Sequence, residues 1–156
     1  MAGVRDPAYA RPVHLLKIHV RFFRSFNYNM TRKADGKARP REWETVDGDW
    51  WPFVTVRLDR LMTAVVGANE SGKSQLIKAI EQALTGTGIS RRDFCRYSPL
   101  FSVQRERVRT PDLGFDVVPD AKDAAALREA GWSNAKASQP ITVIRFGDGK
   151  TCRIAN

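Results

Sequence analysis

Eight consecutive residues near the middle of the chain have the types and spacing of a loop that binds phosphate. They match the pattern G-x-x-x-x-G-K-[ST] at every fixed position and read Gly67, Ala68, Asn69, Glu70, Ser71, Gly72, Lys73 and Ser74. The two glycines allow successive backbone N–H groups to point towards phosphate oxygens at the positive end of a following helix. The pattern therefore predicts a site for a nucleoside triphosphate.

Two side chains of this loop could act on the triphosphate itself. Lys73 can extend to the β- and γ-phosphates and neutralise their charge, which is the main part of catalysis in phosphoryl transfer. The hydroxyl of Ser74 can coordinate a Mg²⁺ ion that bridges the same phosphates. We therefore expect ATP with Mg²⁺ as the ligand, Lys73 as the catalytic residue and Ser74 as the metal ligand. A glycine-rich turn with a solvated lysine is the structural alternative.

The segments on either side place the loop between a strand and a helix. Residues 61–66 form a short, mostly apolar run that ends at Gly67, which indicates a buried strand. After the loop, apolar residues recur at helical spacing until the Gly86 and Gly88 of a Thr-Gly-Thr-Gly stretch, so we expect a helix of about three turns. The apolar residues are Leu76, Ile77, Ile80, Ala83 and Leu84.

Residues 15–26, with the sequence LLKIHVRFFRSF, alternate between apolar and polar side chains. Ile18 and Val20 share one face with Leu16 and Phe22, while the polar residues occupy the other, which is typical of a half-buried strand. Residues 53–58 alternate again and predict a second strand. Further along, Asp120 can cap a short helix over residues 121–130, and residues 141–154 predict a hairpin that turns at Asp148 and Gly149.

The first strand, the returning strand and the sequence VVGANESGKSQLIKAI together resemble the N-terminal half of the ATPase head in SMC, RecF and OLD-like proteins. These are ABC-type P-loop ATPases whose Walker A loop reads G-x-N-x-x-G-K-[ST], a pattern that includes Asn69 here. The resemblance implies an α/β fold, the first lobe of such a head with an antiparallel strand subdomain. It also implies that Arg24 and Ser25, which end the first strand, and Gln75 lie at the nucleotide together with the loop residues.

Several elements of that family have no counterpart in the sequence. The family hydrolyses ATP between two heads, with a second-lobe strand ending in Asp-Glu, a signature loop and a histidine switch, and none of these is present. Gln104 and Gln139 are candidates for the glutamine that the family places near the magnesium. We therefore interpret residues 1–156 as an N-terminal lobe whose hydrolytic activity requires a second lobe or a partner head. Its parts are residues 15–88 with the loop, a basic insertion at 27–51, and an arginine-rich segment, helix and hairpin at 89–156.

The charge of the chain favours polyanionic partners. Lysine and arginine number 26 against 17 acidic residues, which gives a formal charge of +9. The insertion combines basic residues with Trp43, Trp50 and Trp51, a composition that can track a phosphate backbone and stack on bases, although tryptophans folded onto the sheet are the alternative. Its basic residues are Arg32, Lys33, Lys37, Arg39 and Arg41. A second cluster could contact DNA, form ion pairs or meet the nucleotide of a partner head; it comprises Arg91, Arg92, Arg96, Arg105, Arg107 and Arg109.

Other classes of function find less support. Two cysteines and two histidines without metal-ligand spacing argue against a disulfide framework or a zinc site. No apolar run approaches the about 20 residues of a membrane span, so we expect no membrane partner and a cytoplasmic location. The leading hypothesis is an ATP-binding part of a DNA-associated ATPase in DNA repair, chromosome maintenance or phage defence. A small P-loop kinase and a nucleotide- or nucleic-acid-binding adaptor that does not hydrolyse are the alternatives, and the absence of N-K-x-D disfavours a GTPase.

Overall fold

The structure is a computed structural model that describes residues 14–26, 41–103 and 109–155. In chain order the strands and α-helices are β1 His14–Arg21, β2 Thr45–Val46, β3 Asp49–Trp50, β4 Val54–Arg57, α1 Lys73–Thr85, β5 Asp112–Val118, α2 Ala121–Glu129, β6 Ile141–Arg145 and β7 Thr151–Ala155. Five of these strands form an antiparallel sheet with the order β4-β1-β5-β6-β7, and α1 packs against it. The predicted mixed α/β class and the antiparallel strands are thus confirmed.

Strand β1, which lies between β4 and β5, packs one face against α1. Ile18 and Val20 are fully buried there with Leu113 of β5, and the small residues Ala79 and Ala83 of α1 cover them. Because alanine lacks a long side chain, the helix can lie close to the sheet. Ile18 and Val20 thus share the predicted face, but Leu15 and Phe23 pack with them in place of Leu16, and Phe22 belongs to a separate cluster with Trp51. The helix packed on this face begins at Lys73.

The opposite face of β1 is also buried in the C-terminal half of the strand, where the prediction of a half-buried strand is wrong; nearer the N-terminus the Lys17 side chain is 36% exposed. His19 and Arg21 are 5% and 1% exposed. Arg21 Nε donates to Asp112 Oδ2 at 2.7 Å, and its guanidinium lies 4.2 Å from the Phe53 ring centroid. His19 is bonded to Asp116 through a 2.7 Å contact. These polar side chains are tolerated inside the protein because neighbouring strands supply partners for them.

Residues 61–66 do not form the buried strand that their apolar composition predicts. They lie outside the sheet, and Leu61, Met62 and Val66 are 93%, 81% and 88% exposed. A turn at Asp59, whose carboxylate accepts from the N–H of Leu61 at 2.9 Å, follows β4 and directs the chain away from the ladder. In the described part of the chain no strand pairs with this run, which explains why the predicted strand is missing.

The remaining predicted elements are present. Asp120 caps α2 and accepts from the N–H of Asp123 at 2.8 Å, and Gly131 with φ 89° follows the helix. Strands β6 and β7 pair as a hairpin around Gly149, whose φ is 87°. No helix in the described ranges is long and apolar enough to span a membrane.

Candidate functional site

The glycine loop leads directly into the N-terminus of α1. Gly72 has φ 91°, a left-handed backbone conformation that is unfavourable for residues other than glycine. Its carbonyl accepts the first hydrogen bond of the helix, from the N–H of Leu76 at 3.0 Å. No side chain caps this end of the helix, and no acidic residue lies in its first turn. The first-turn N–H groups and the positive end of the helix dipole are therefore available to an anion.

Lys73 lies folded over the loop that precedes it. Its Nζ donates to the carbonyl oxygens of Gly67 and Ala68 at 2.6 and 2.5 Å. A Cβ at Gly67 would lie 2.7 Å from Ser71 Oγ, so a side chain there would require the Ser71 hydroxyl to move. The ammonium group thus lies at the loop before any phosphate is present, while Asn69, Glu70 and Ser74 are exposed around it.

The structure brings Ser25 and Gln75 together beside the loop. The backbone N–H and the hydroxyl of Ser25 both donate to Gln75 Oε1, at 3.2 and 2.7 Å. The Ser25 hydroxyl also lies 3.7 Å from where a Cβ of Gly72 would be. The end of the first strand is therefore joined to the first turn of α1, next to the predicted phosphate site. The sequence alone gave no signal for this hydrogen-bonded pair.

Arg24 is engaged by an acidic residue. Its Nε and Nη2 donate to Asp93 Oδ1 at 3.0 and 2.8 Å, and its N–H donates to the Asp93 carbonyl at 2.7 Å. Burial alone would raise the pKa of Asp93, but hydrogen bonds from Arg24 and Ser90 outweigh it and hold this pKa below its ordinary value. The Arg24 guanidinium, which is expected at the nucleotide, is thus paired with the Asp93 carboxylate in this structure.

The basic insertion is described only at its end. Arg32, Lys33, Lys37 and Arg39 lie outside the described residues, while Arg41 is exposed with its guanidinium 5.3 Å from the Trp43 ring centroid. Trp51 is 5% exposed and meets Phe22 edge-on at 5.5 Å between ring centroids. Trp51 therefore belongs to the core, in agreement with the alternative that the tryptophans of the insertion fold onto the protein instead of stacking on bases. A nucleic-acid surface formed by the other residues stays a prediction.

The second arginine cluster is also described only in part. Arg91, Arg92 and Arg96 are exposed, and Arg109 lies 3.7 Å from Asp47. Arg105, Arg107 and the candidate glutamine Gln104 lie outside the described residues. Gln139 is exposed in the turn before β6. Within the described ranges no group of three or more His, Cys, Asp or Glu side chains is arranged to hold a metal ion.

Comparison with known proteins finds similarity to solved structures. No protein-family model matches the sequence, and no curated protein matches it. A solved structure described as "Structural biochemistry of ATP-driven dimerization and DNA stimulated activation of SMC ATPases" resembles the chain with a TM-score of 0.47 and 17% sequence identity. The similarity covers 92% of this chain and 69% of that one. This degree of similarity assigns neither a family to the chain nor a role to any residue.

Proposed function

We propose that residues 67–74 bind the phosphates of ATP and that the chain acts as the N-terminal, ATP-binding lobe of a DNA-associated ATPase of the SMC, RecF and OLD-like type. The observation that carries the proposal is the geometry of the loop. A helix N-terminus without a side-chain cap follows a left-handed glycine, and the ammonium of Lys73 already lies against the loop carbonyls. This arrangement suits a multiply charged anion better than it suits any contact within the protein.

Each residue of the loop has a distinct task in this proposal. The N–H groups of residues 69–74 surround the phosphate oxygens, and Lys73 exchanges its two carbonyl partners for the β- and γ-phosphates. Ser74, exposed in the first turn of α1, offers its hydroxyl to Mg²⁺. A Mg²⁺ ion held by Ser74 would supply charge neutralisation at the phosphates. The described first turn contains no carboxylate that would repel the triphosphate, so the residues present fit the ligand.

Turnover requires groups that the loop does not supply. An acidic strand to hold the magnesium and position the attacking water is absent from the sequence. The exposed apolar run at residues 61–66 leads directly into the loop, and Ile77 on α1 is 57% exposed nearby in the chain. Exposed apolar side chains of this kind support a second ATPase lobe or a partner head that completes the catalytic site.

A titration of the chain with a fluorescent ATP analogue, with and without Mg²⁺, tests the proposal. We expect saturable binding that Lys73→Ala weakens by at least about tenfold, because removal of a charged hydrogen-bonding partner costs about 1.5–3 kcal/mol. Lys78→Ala is the matched control, since Lys78 is an exposed lysine further along the same helix. Equal affinity in the Lys73 and Lys78 variants would show that the loop does not hold the phosphates.

We also propose nucleic acid as a partner of the assembled protein. The support is the formal charge of +9 and the exposed guanidinium groups of Arg91, Arg92 and Arg96. Binding of this kind releases counterions, so the affinity for labelled DNA should fall steeply and linearly with salt on logarithmic axes. Fluorescence anisotropy at several salt concentrations measures this slope, and a slope near zero would contradict the proposal.

A further inference from the structure

Residues 22–25, which follow β1 directly, have a backbone conformation that needs support from the rest of the protein. Phe22 and Arg24 have φ of 58° and 49°, in the left-handed region that residues other than glycine rarely occupy. Such a conformation persists only where surrounding contacts hold it. The segment ends at Ser25, which is hydrogen-bonded to Gln75 in the first turn of α1. Whatever holds residues 22–25 therefore also acts on the start of that helix.

The supporting contacts come from residues 90–95, which lie between α1 and β5 in the sequence. The N–H of Arg24 donates to the carbonyl of Asp93 at 2.7 Å, and the N–H of Cys95 donates to the carbonyl of Phe22 at 2.6 Å. An isolated antiparallel bridge joins the two segments between these bonds. Two segments that are distant in sequence are thus held side by side at the end of β1.

The side chain of Asp93 joins both segments as well. Its Oδ1 accepts from Nε and Nη2 of Arg24 at 3.0 and 2.8 Å, and its Oδ2 accepts from the N–H and hydroxyl of Ser90 at 3.2 and 3.1 Å. The Asp93 side chain is 8% exposed, against 36% for Arg24. Hydrogen bonds from a guanidinium to a carboxylate are among the strong ones in proteins. Asp93 therefore fixes the residue that immediately precedes Ser25.

We propose that Asp93 is a positioning residue for the phosphate loop: it holds Arg24 and thereby places Ser25 against Gln75 at the start of α1. The inference rests on the proposed binding of the triphosphate at residues 67–74. Asp93 acts in it through these side chains and not by contact with the phosphates.

A displacement of Ser25 reaches the phosphate-binding backbone directly. Its hydroxyl lies 3.7 Å from the position that a Cβ of Gly72 would take, and its N–H and hydroxyl both donate to Gln75 Oε1. The N–H groups of this turn have no side-chain cap to hold them in place. Backbone N–H groups bind phosphate well only when they are held in convergent directions. Loss of the Asp93 carboxylate should thus lower ATP affinity although no phosphate contact is removed.

Calorimetric titration of Asp93→Asn with the Mg²⁺ complex of ATP tests the proposal. Asparagine keeps the volume of the side chain but removes its charge and one of its two acceptor oxygens. We expect ATP to bind about five- to tenfold more weakly than to the wild type. Asp116→Asn is the control, because it also removes a buried carboxylate, one that is bonded to His19 and Thr142 on the sheet, and it should leave the ATP affinity of the folded chain unchanged.

A double-mutant cycle separates positioning from a general loss of structure. Gln75→Ala interrupts the route from Ser25 to α1, so Asp93→Asn should weaken ATP binding by less than about twofold in that background. Wild-type affinity in Asp93→Asn, or an equal loss in both backgrounds, would overturn the positioning role and leave the phosphate loop standing. Failure of the wild-type chain to bind ATP would instead show that the proposed function is wrong.

A milder substitution covers the case in which Asp93→Asn does not fold, as judged by circular dichroism. Ser90→Ala removes one hydroxyl donor to the Asp93 carboxylate and leaves its bonds to Arg24 in place. It should weaken ATP binding by about threefold in the wild-type background and not in Gln75→Ala. Unchanged affinity in Ser90→Ala would then count against the proposal.

Discussion

The Asp116 carboxylate predicts a defined loss of stability in acid. Its side chain is 3% exposed and accepts from His19, Lys17 and Thr142 at 2.7, 3.0 and 2.8 Å. Burial alone would raise the pKa of Asp116, but these partners outweigh it and lower this pKa from 3.8 to about 2. Since a tenfold change in proton affinity corresponds to about 1.4 kcal/mol, the ionised carboxylate stabilises the fold by about 2 kcal/mol.

The sign of the effect follows from the lowered pKa. The stabilisation is fully present above about pH 4, where the carboxylate is ionised in both folded and unfolded chains, and it is lost as the pH falls through about 2. Urea denaturation at a series of pH values, for the wild type and for Asp116→Asn, isolates this contribution. The variant should be about 2 kcal/mol less stable at neutral pH, and the difference should vanish near pH 2.

A matched control tests the reasoning rather than the loss of charge alone. Asp49→Asn removes a carboxylate from an exposed position of β3 and should change the free energy of unfolding by less than about 0.5 kcal/mol. If Asp116→Asn and the wild type differed by the same amount at every pH, the lowered pKa of Asp116 would not be the source of the stabilisation.

Two further pairs of substitutions have expected effects that can be compared within each pair. Asp112→Ala removes the partner of the buried Arg21 guanidinium and should lower the free energy of unfolding, measured by denaturation, by about 3–5 kcal/mol. Asp148→Ala, at the exposed pair with Lys150, is the control and should lower it by less than about 1 kcal/mol. Equal losses in the two variants would contradict a stabilising role for the buried ion pair. Gly72→Ala and Gly149→Ala should each lower the free energy of unfolding by about 1–2 kcal/mol, because both glycines have φ near 90°. Only the Gly72 variant should also lose ATP affinity in a titration. Equal loss of affinity in both variants would contradict the assignment of the loop as the phosphate site.

The sequence predicted those elements whose signals are local. The alternation of apolar residues predicted the buried positions of Ile18 and Val20 in β1. Gly86 predicted the end of α1, and Asp120 predicted the start of α2. Each signal depends on residues within a few positions of one another, and local physical chemistry is sufficient to interpret it.

The features that sequence reasoning missed depend on distant partners. Arg21 is buried because Asp112, 91 positions away, lies on the neighbouring strand, and Arg24 is paired with Asp93, 69 positions away. No periodicity in the sequence connects these residues. Residues 61–66 do not form the predicted strand for a related reason. A strand needs a neighbouring strand to hydrogen-bond with its backbone, and no strand in the described ranges pairs with these residues.

The most direct test of the account is a map of backbone amide NMR shifts as Mg²⁺ and ATP are added to the chain. The account predicts that the largest shifts occur at the N–H groups of residues 68–75, because these groups receive the phosphates, and that Lys73→Ala abolishes them while Lys78→Ala does not. Saturable ATP binding with shifts confined to other parts of the chain, or no binding at all, would contradict the assignment of this loop as the phosphate site.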